Sequence, residues 1–92
     1  MTPEFDRDEA SIGHIAEHAV TPEEVEEALS DPHRIPAPAY STETERRFGA
    51  VDATDDGRIL FVVYARRAGR VRVITAREAS GRQQAQYRRG KR

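Results

Sequence analysis

GRILFVVYARRAGRVRVITAR, Gly57 to Arg77, reads as two apolar strands joined by a tight turn. Ile59-Leu60-Phe61-Val62-Val63-Tyr64 is a short run of β-branched, aromatic and aliphatic residues, bounded by Asp55-Asp56-Gly57 before it and Ala68-Gly69 after it. It is too short for a comfortable helix, and turn residues on both sides mark it as a central strand. Arg70-Val71-Arg72-Val73-Ile74-Thr75 then alternates basic and apolar residues. With a period of two, Val71, Val73 and Thr75 share one face and Arg70, Arg72 and Ile74 the other, which predicts a strand apolar on one side and cationic on the other.

Upstream, a strand is expected from Glu45 to about Thr54, with Phe48 and Ala50 on one face and Arg47, Val51 and Ala53 on the other. Asp55-Asp56-Gly57 makes the turn into the central strand, and Gly57 suits a position of positive φ. Before it, Pro32, Pro36 and Pro38 predict an extended connection over residues 31–44, with at most a short edge strand near Arg34-Ile35. Thr21-Pro22-Glu23-Glu24 is the clearest helix start: Thr21 at the N-cap, Pro22 at the first turn and Glu24 placed to close a capping box. That helix runs to about Ser30 and Asp31-Pro32 ends it. An earlier helix is expected from Asp8, with Ile12, Ile15, Ala16 and Ala19 on one stripe, stopping near His18-Ala19-Val20. Residues 1–8 read as a frayed end or a brief edge strand that uses Phe5 to reach the core. Downstream, Ala79-Ser80 offers a cap for a short helix from Gly81 to Tyr87, followed by a basic tail. The order predicts an α+β fold: two N-terminal helices packed on one face of a small antiparallel sheet of three to four strands, with a short C-terminal helix.

Ninety-two residues make a single domain, 1–92, with residues 1–4 and 88–92 expected as disordered tails. There is no run near the roughly 18 apolar residues of a membrane span and no basic-then-apolar leader, so the expected location is cytoplasmic, with no membrane partner. With no cysteine, disulfide, thiolate and thiolate–zinc chemistry are excluded. The net charge of −1 conceals a division: residues 1–45 hold 12 acidic and 2 basic side chains, residues 46–92 hold 4 acidic and 13 basic, 12 of them arginine. A planar guanidinium fork matches phosphate oxygens, so the basic half points to nucleic acid or an acidic partner. The alternative is that the acidic helices neutralise the basic sheet within the fold.

RNA cleavage without a metal needs a base for the 2′-OH, an acid for the leaving 5′-oxygen and cations for the developing phosphate charge. An imidazole is the side chain best suited to proton transfer near neutral pH, which makes His18 the candidate proton carrier, while Arg47, Arg72 and Arg77 suit phosphate. Tyr64 and Tyr87 can stack on bases or bond a phosphate, and Arg70 adds to the cationic strand. One geometric demand stands out: residues 72 and 77 differ in strand parity, so they share a site only if the strand ends before Arg77. Each residue also has a structural reading, with His18 as a helix C-cap, Tyr64 as core and the arginines as a solvated face or partners of the acidic helices. His14 and His18 lie one helical turn apart, but with His33 alone elsewhere no metal site is expected, and no cofactor.

The ordered set His18-Ala19-Val20, Pro22 to Ala28, Asp31-Pro32, Glu45 with Arg47, Gly57 to Leu60 with Val62-Val63-Tyr64, and Arg72 to Arg77 with Tyr87 resembles the BrnT toxins. The resemblance spans roughly Phe5 to Tyr87. It implies a RelE-like fold, a metal-independent ribonuclease toxin of a type II toxin–antitoxin system, an RNA substrate and a BrnA-like antitoxin. A homo-oligomer and a toxin–antitoxin hetero-oligomer both stay open. The chain departs from the family pattern at Glu17 and Ala19, where a Lys and a Gly usually flank the His, at Gln83-Gln84 in place of Glu-Arg, and at Asp52 in place of Gly. Glu17 in place of a cation favours the alternative of a catalytically inactive module that binds an antitoxin-type partner or RNA. A transcriptional regulator is disfavoured, since no helix is basic enough for a major groove.

Overall fold

The structure, a computed structural model, describes residues 4–6 and 18–90. The elements are β1 (Glu4–Asp6), α1 (Pro22–Leu29), β2 (Ile35–Ala37), β3 (Arg47–Ala53), β4 (Ile59–Arg67), β5 (Arg70–Glu78) and α2 (Gly81–Gly90). The helix expected from Asp8 falls outside the described residues except at its end, where His18 and Ala19 form a turn and Ala19 takes φ +56°.

α1 starts as its sequence requires. Thr21 Oγ1 accepts from the Glu24 N–H at 3.1 Å and Glu24 Oε1 accepts from the Thr21 N–H at 3.0 Å, closing the capping box with Pro22 in the first turn. Val25, Ala28 and Leu29 face inward, three to four residues apart, onto the sheet.

The sheet runs β1-β5-β4-β3-β2, and β2 to β5 form the expected antiparallel set. β1 adds a fifth, parallel strand beside β5, pairing Phe5 with Val71, and Phe5 packs against the core as the edge-strand reading anticipates. β4 lies at the centre, with Leu60, Val62 and Ala65 each fully buried. The fold class is the α+β one expected, and the C-terminal helix takes the side of the sheet opposite α1. Val25, Ala28 and Leu29 of α1 pack with Ala50, Leu60, Val62, Val71, Val73 and Ala76, whereas Tyr87 of α2 packs with Val51, Ile59 and Phe61. The two sets have opposite parity on β3 and β4, so α1 and α2 cover opposite sides of the sheet. α2 also continues to Gly90, three residues into the stretch expected as a tail.

A β-bulge in β5 decides the position of the arginines. Val63 pairs with Thr75 but Tyr64 pairs with Val73, which leaves Ile74 as the extra residue. Thr75 therefore changes side relative to the simple alternation, and Arg72 and Arg77 come to the same face although the strand runs on to Glu78.

β4 and β5 join through a two-residue turn in which both Ala68 (φ +53°) and Gly69 (φ +78°) adopt positive φ. Such turns suit right-twisted hairpins, but a Cβ in that conformation is strained. Ala68→Gly is expected to stabilise the chain by about 0.5–1 kcal/mol, read as a raised urea midpoint at unchanged slope.

Candidate active site

Arg47, Ala65 and Arg72 are register partners across β3, β4 and β5. At about 4.8 Å per strand, two guanidinium stems thus rise roughly 10 Å apart on either side of a small, buried residue. Glu45, just before β3, reaches between them. Its Oε2 accepts from Arg72 Nη2 at 2.6 Å and its Oε1 from Arg47 Nε at 3.2 Å, while Arg67 Nη2 lies 3.8 Å from Oε2. The approach segment is fixed by its own bonds: the Thr42 N–H donates to the Glu45 carbonyl at 2.9 Å and the Arg47 N–H to Ser41 Oγ at 3.0 Å.

The hydrogen bonds from Arg72 and then Arg47 outweigh desolvation and hold the Glu45 carboxyl below its usual range. It is ionised at neutral pH, and its charge offsets only part of the three cations around it. Glu45 and Arg72 side chains are 19% and 24% exposed, so the pair is reachable from solvent. Arg72 Nε is buried and makes no hydrogen bond.

Arg77 lies farther along the same face, about four strand residues or 13 Å from Arg72. Its guanidinium sits 4.9 Å from the Phe61 ring centroid and donates to the Glu78 carbonyl at 3.2 Å. Arg70 shares the parity of Arg72 and pairs in register with Arg67 at the hairpin end. Of the residues singled out in the sequence, Arg47, Arg70 and Arg72 thus gather at one end of the face, and Arg77 shares the face at a distance.

The other three lie elsewhere. Tyr64 is on the α1 side, stacked on Phe48 with ring centroids 5.6 Å apart. Tyr87 is 3% exposed and its hydroxyl donates to Asp31 Oδ2, so it anchors α2 and does not face the arginines. Burial, followed by that bond and the neighbouring carboxylates, raises its pKa. His18 is exposed in the turn before α1, where the adjacent Ala19 carbonyl accepts from Arg58 Nη1 at 2.9 Å. Arg58 precedes β4, whereas the cluster surrounds Ala65 near the other end of that strand, seven residues or roughly 23 Å away. The structure does not bring His18 to the arginines.

Two members of the cluster are absent from the sequence-based site, Glu45 and Arg67. A signal existed for the first: Glu45 and Arg47 are two residues apart at a strand start, which places them on one face.

A second set of carboxylates lies at the far end of β3. Asp31 accepts from the His33 N–H at 2.9 Å, the Ala53 N–H at 3.0 Å and the Tyr87 hydroxyl. Burial pushes Asp31 up, but the bonds from Tyr87, His33 and Ala53 outweigh it and leave the carboxyl below its usual range. Asp52 is fully buried on the α1 side with neither oxygen hydrogen-bonded. Burial, and then the charge of Asp31, push it up to about 8, so it carries a proton at neutral pH. The nearby cavity of about 540 Å³ is lined by Glu23, Glu26, Glu27, Asp31 and Asp55 and is unsuited to an anionic polymer. Among the described residues no three acidic or imidazole side chains are grouped as metal ligands, and no helix is long and apolar enough to cross a membrane.

A search of curated proteins gives no match. The family model for BrnT, the ribonuclease toxin of type II toxin–antitoxin systems, matches residues 5–83, a span that contains the whole sheet from Phe5 onward and every arginine of the cluster. Over that length the match shows the family, and the chain belongs to the BrnT ribonuclease toxins of type II toxin–antitoxin systems.

Proposed function

We propose that the chain is a metal-independent endoribonuclease that cuts RNA by attack of the 2′-OH on the adjacent phosphodiester, and that it is the cytoplasmic toxin of a pair completed by a BrnA-like antitoxin. Family membership implies an RNA substrate and an antitoxin partner. The observation that carries the finer reading is the Glu45 carboxylate held among Arg47, Arg67 and Arg72. A phosphodiester is the natural competitor for those guanidiniums, since it offers the same fork of anionic oxygens.

As the phosphate takes up the arginines, Glu45 is released as a base beside the 2′-OH. It removes that proton while the 2′-oxygen attacks phosphorus and the bond to the 5′-oxygen breaks. The arginines stabilise the charge gathering on the phosphoryl oxygens, and the 5′-oxygen takes a proton from water, whose hydroxide recovers the proton held by Glu45 and restores the carboxylate. The products are a 2′,3′-cyclic phosphate and a 5′-hydroxyl. Arg77, on the same face, is placed to hold a neighbouring phosphate. Because the arginines supply the electrophilic charge, this reaction makes no demand for a divalent ion.

The test is incubation of the purified chain with total RNA in EDTA, beside the Arg72→Ala/Arg77→Ala variant. The wild type is expected to leave 2′,3′-cyclic phosphate ends and the variant to lose on the order of 10²–10³ in rate. Bound but uncut RNA would replace this reading with that of a binding module whose cluster Glu45 keeps filled.

A further inference from the structure

The sheet carries a second group of arginines on its other side. Neighbouring residues on a strand project to opposite faces, so Arg46 and Arg66 are on the α1 side where Arg47 and Arg67 enter the Glu45 cluster. Between them Phe48 and Tyr64 stack with planes 27° apart, and the Arg46 guanidinium lies 5.5 Å from the Phe48 centroid. A groove of about 720 Å³ opens here between residues 32–41 and β3, lined by Arg34, Arg46, Phe48 and Tyr64. Arg66 borders the same Arg34 and Tyr64 from the next strand. Among the described residues Arg46 and Arg66 have no carboxylate partner, unlike Arg47, Arg58, Arg67 and Arg72.

We propose that this aromatic–arginine groove is a second RNA subsite, one that takes unpaired bases of the strand flanking the scissile phosphate. The inference rests on RNA as the ligand of the arginine face and extends its footprint around the end of the sheet. Paired rings give a base something to stack on, and unneutralised guanidiniums add cation–π contact and phosphate attraction. A duplex keeps its base faces covered, so the groove selects single strands. The two arginine groups are joined at Arg46-Arg47 and Arg66-Arg67, so one RNA strand can engage both by crossing the rim of the sheet where β3 starts and β4 ends.

The test is titration with a short single-stranded RNA oligonucleotide, 2′-O-methylated throughout, and with the same oligonucleotide annealed to its complement. The methyl groups remove the nucleophile, so binding is read whether or not the chain cleaves. Phe48→Leu, which keeps apolar volume and removes the ring, is expected to weaken single-strand binding on the order of tenfold and to leave duplex binding unchanged. Arg46→Ala/Arg66→Ala, at exposed positions that no core contact depends on, is expected to reduce the slope of log affinity against log salt by about 1.4, two phosphate contacts' worth. Wild-type affinity in both variants, or an equal loss for duplex, overturns the proposal. So does a result in which the variants bind RNA normally but lose a BrnA-like antitoxin, which would make the groove a protein-docking surface. A wild type that binds the oligonucleotide but cleaves no RNA overturns the nuclease reading and leaves the groove standing.

Discussion

Glu45→Gln is expected to slow cleavage of bound RNA by about 10²–10⁴, the usual weight of a positioned general base, while tightening RNA binding about tenfold. The two effects have opposite signs because the proposed mechanism gives Glu45 two tasks. In the free chain its carboxylate neutralises part of the charge on Arg47, Arg67 and Arg72, so RNA phosphate has to displace it. Glutamine keeps the shape, loses the anion, and leaves the guanidiniums to the phosphate. On the proposed mechanism the same carboxylate accepts the 2′-OH proton in the bound state, which an amide cannot do. Single-turnover cleavage at saturating RNA separates the terms, with equilibrium binding of uncleavable RNA measured beside it. A variant that binds more tightly and cleaves as fast as the wild type would reduce Glu45 to an internal competitor. One unchanged in both would remove it from the site.

The pH profile gives an independent reading of the same residue. The bonds from Arg72 and Arg47 lower the Glu45 pKa, so the acid limb of kcat/KM should lie below the usual 4.5 and be absent from the Glu45→Gln profile. A base other than Glu45 would leave the acid limb unchanged in the Glu45→Gln profile.

The strands and α1 could be read from sequence because local signals and tertiary packing agree there. Thr21, Pro22 and Glu24 specify a helix start whatever surrounds them, and the Asp55-Asp56-Gly57 and Ala68-Gly69 turns delimit β4. The bulge at Ile74 carries no Gly or Pro to announce it, and it alone reverses the side of Thr75 and Arg77. The side taken by α2 was equally hidden. Tyr87 is the one buried residue of that short polar helix, and the Asp31 carboxylate that receives its hydroxyl is 56 residues away in sequence. Arg47 and Arg72 were legible as a cationic face by alternation, but the cluster depends on Glu45, whose role appears only when three strands bring their arginines to it. Asp52 reads in sequence as one polar residue of a strand near a turn, and nothing local reveals that the fold buries it completely.

That burial makes Asp52→Asn the largest expected gain in stability. A carboxyl group with a pKa of about 3.8 unfolded and about 8 folded keeps its proton in the folded chain over a range where the unfolded chain has lost it. Unfolding then releases a proton, and stability falls by up to about 1.4 kcal/mol for each pH unit from near 4 to near 8, then levels off. At neutral pH the accumulated cost is on the order of 4 kcal/mol, a large share of what a domain of this size retains. Asn fills the same space without titrating, so the variant should match the wild type near pH 4, exceed it by several kcal/mol near pH 8, and show little slope between. The groups facing Asp52 set the sign: Asp31 at the end of α1 raises its pKa and Arg34 lowers it, with burial larger than either. Asp31 acts in the opposite sense, but its lowered pKa confines that contribution to more acid solution. Urea unfolding of both chains across this range reads the difference directly. Parallel curves would mean that Asp52 finds a partner or solvent that satisfies its charge.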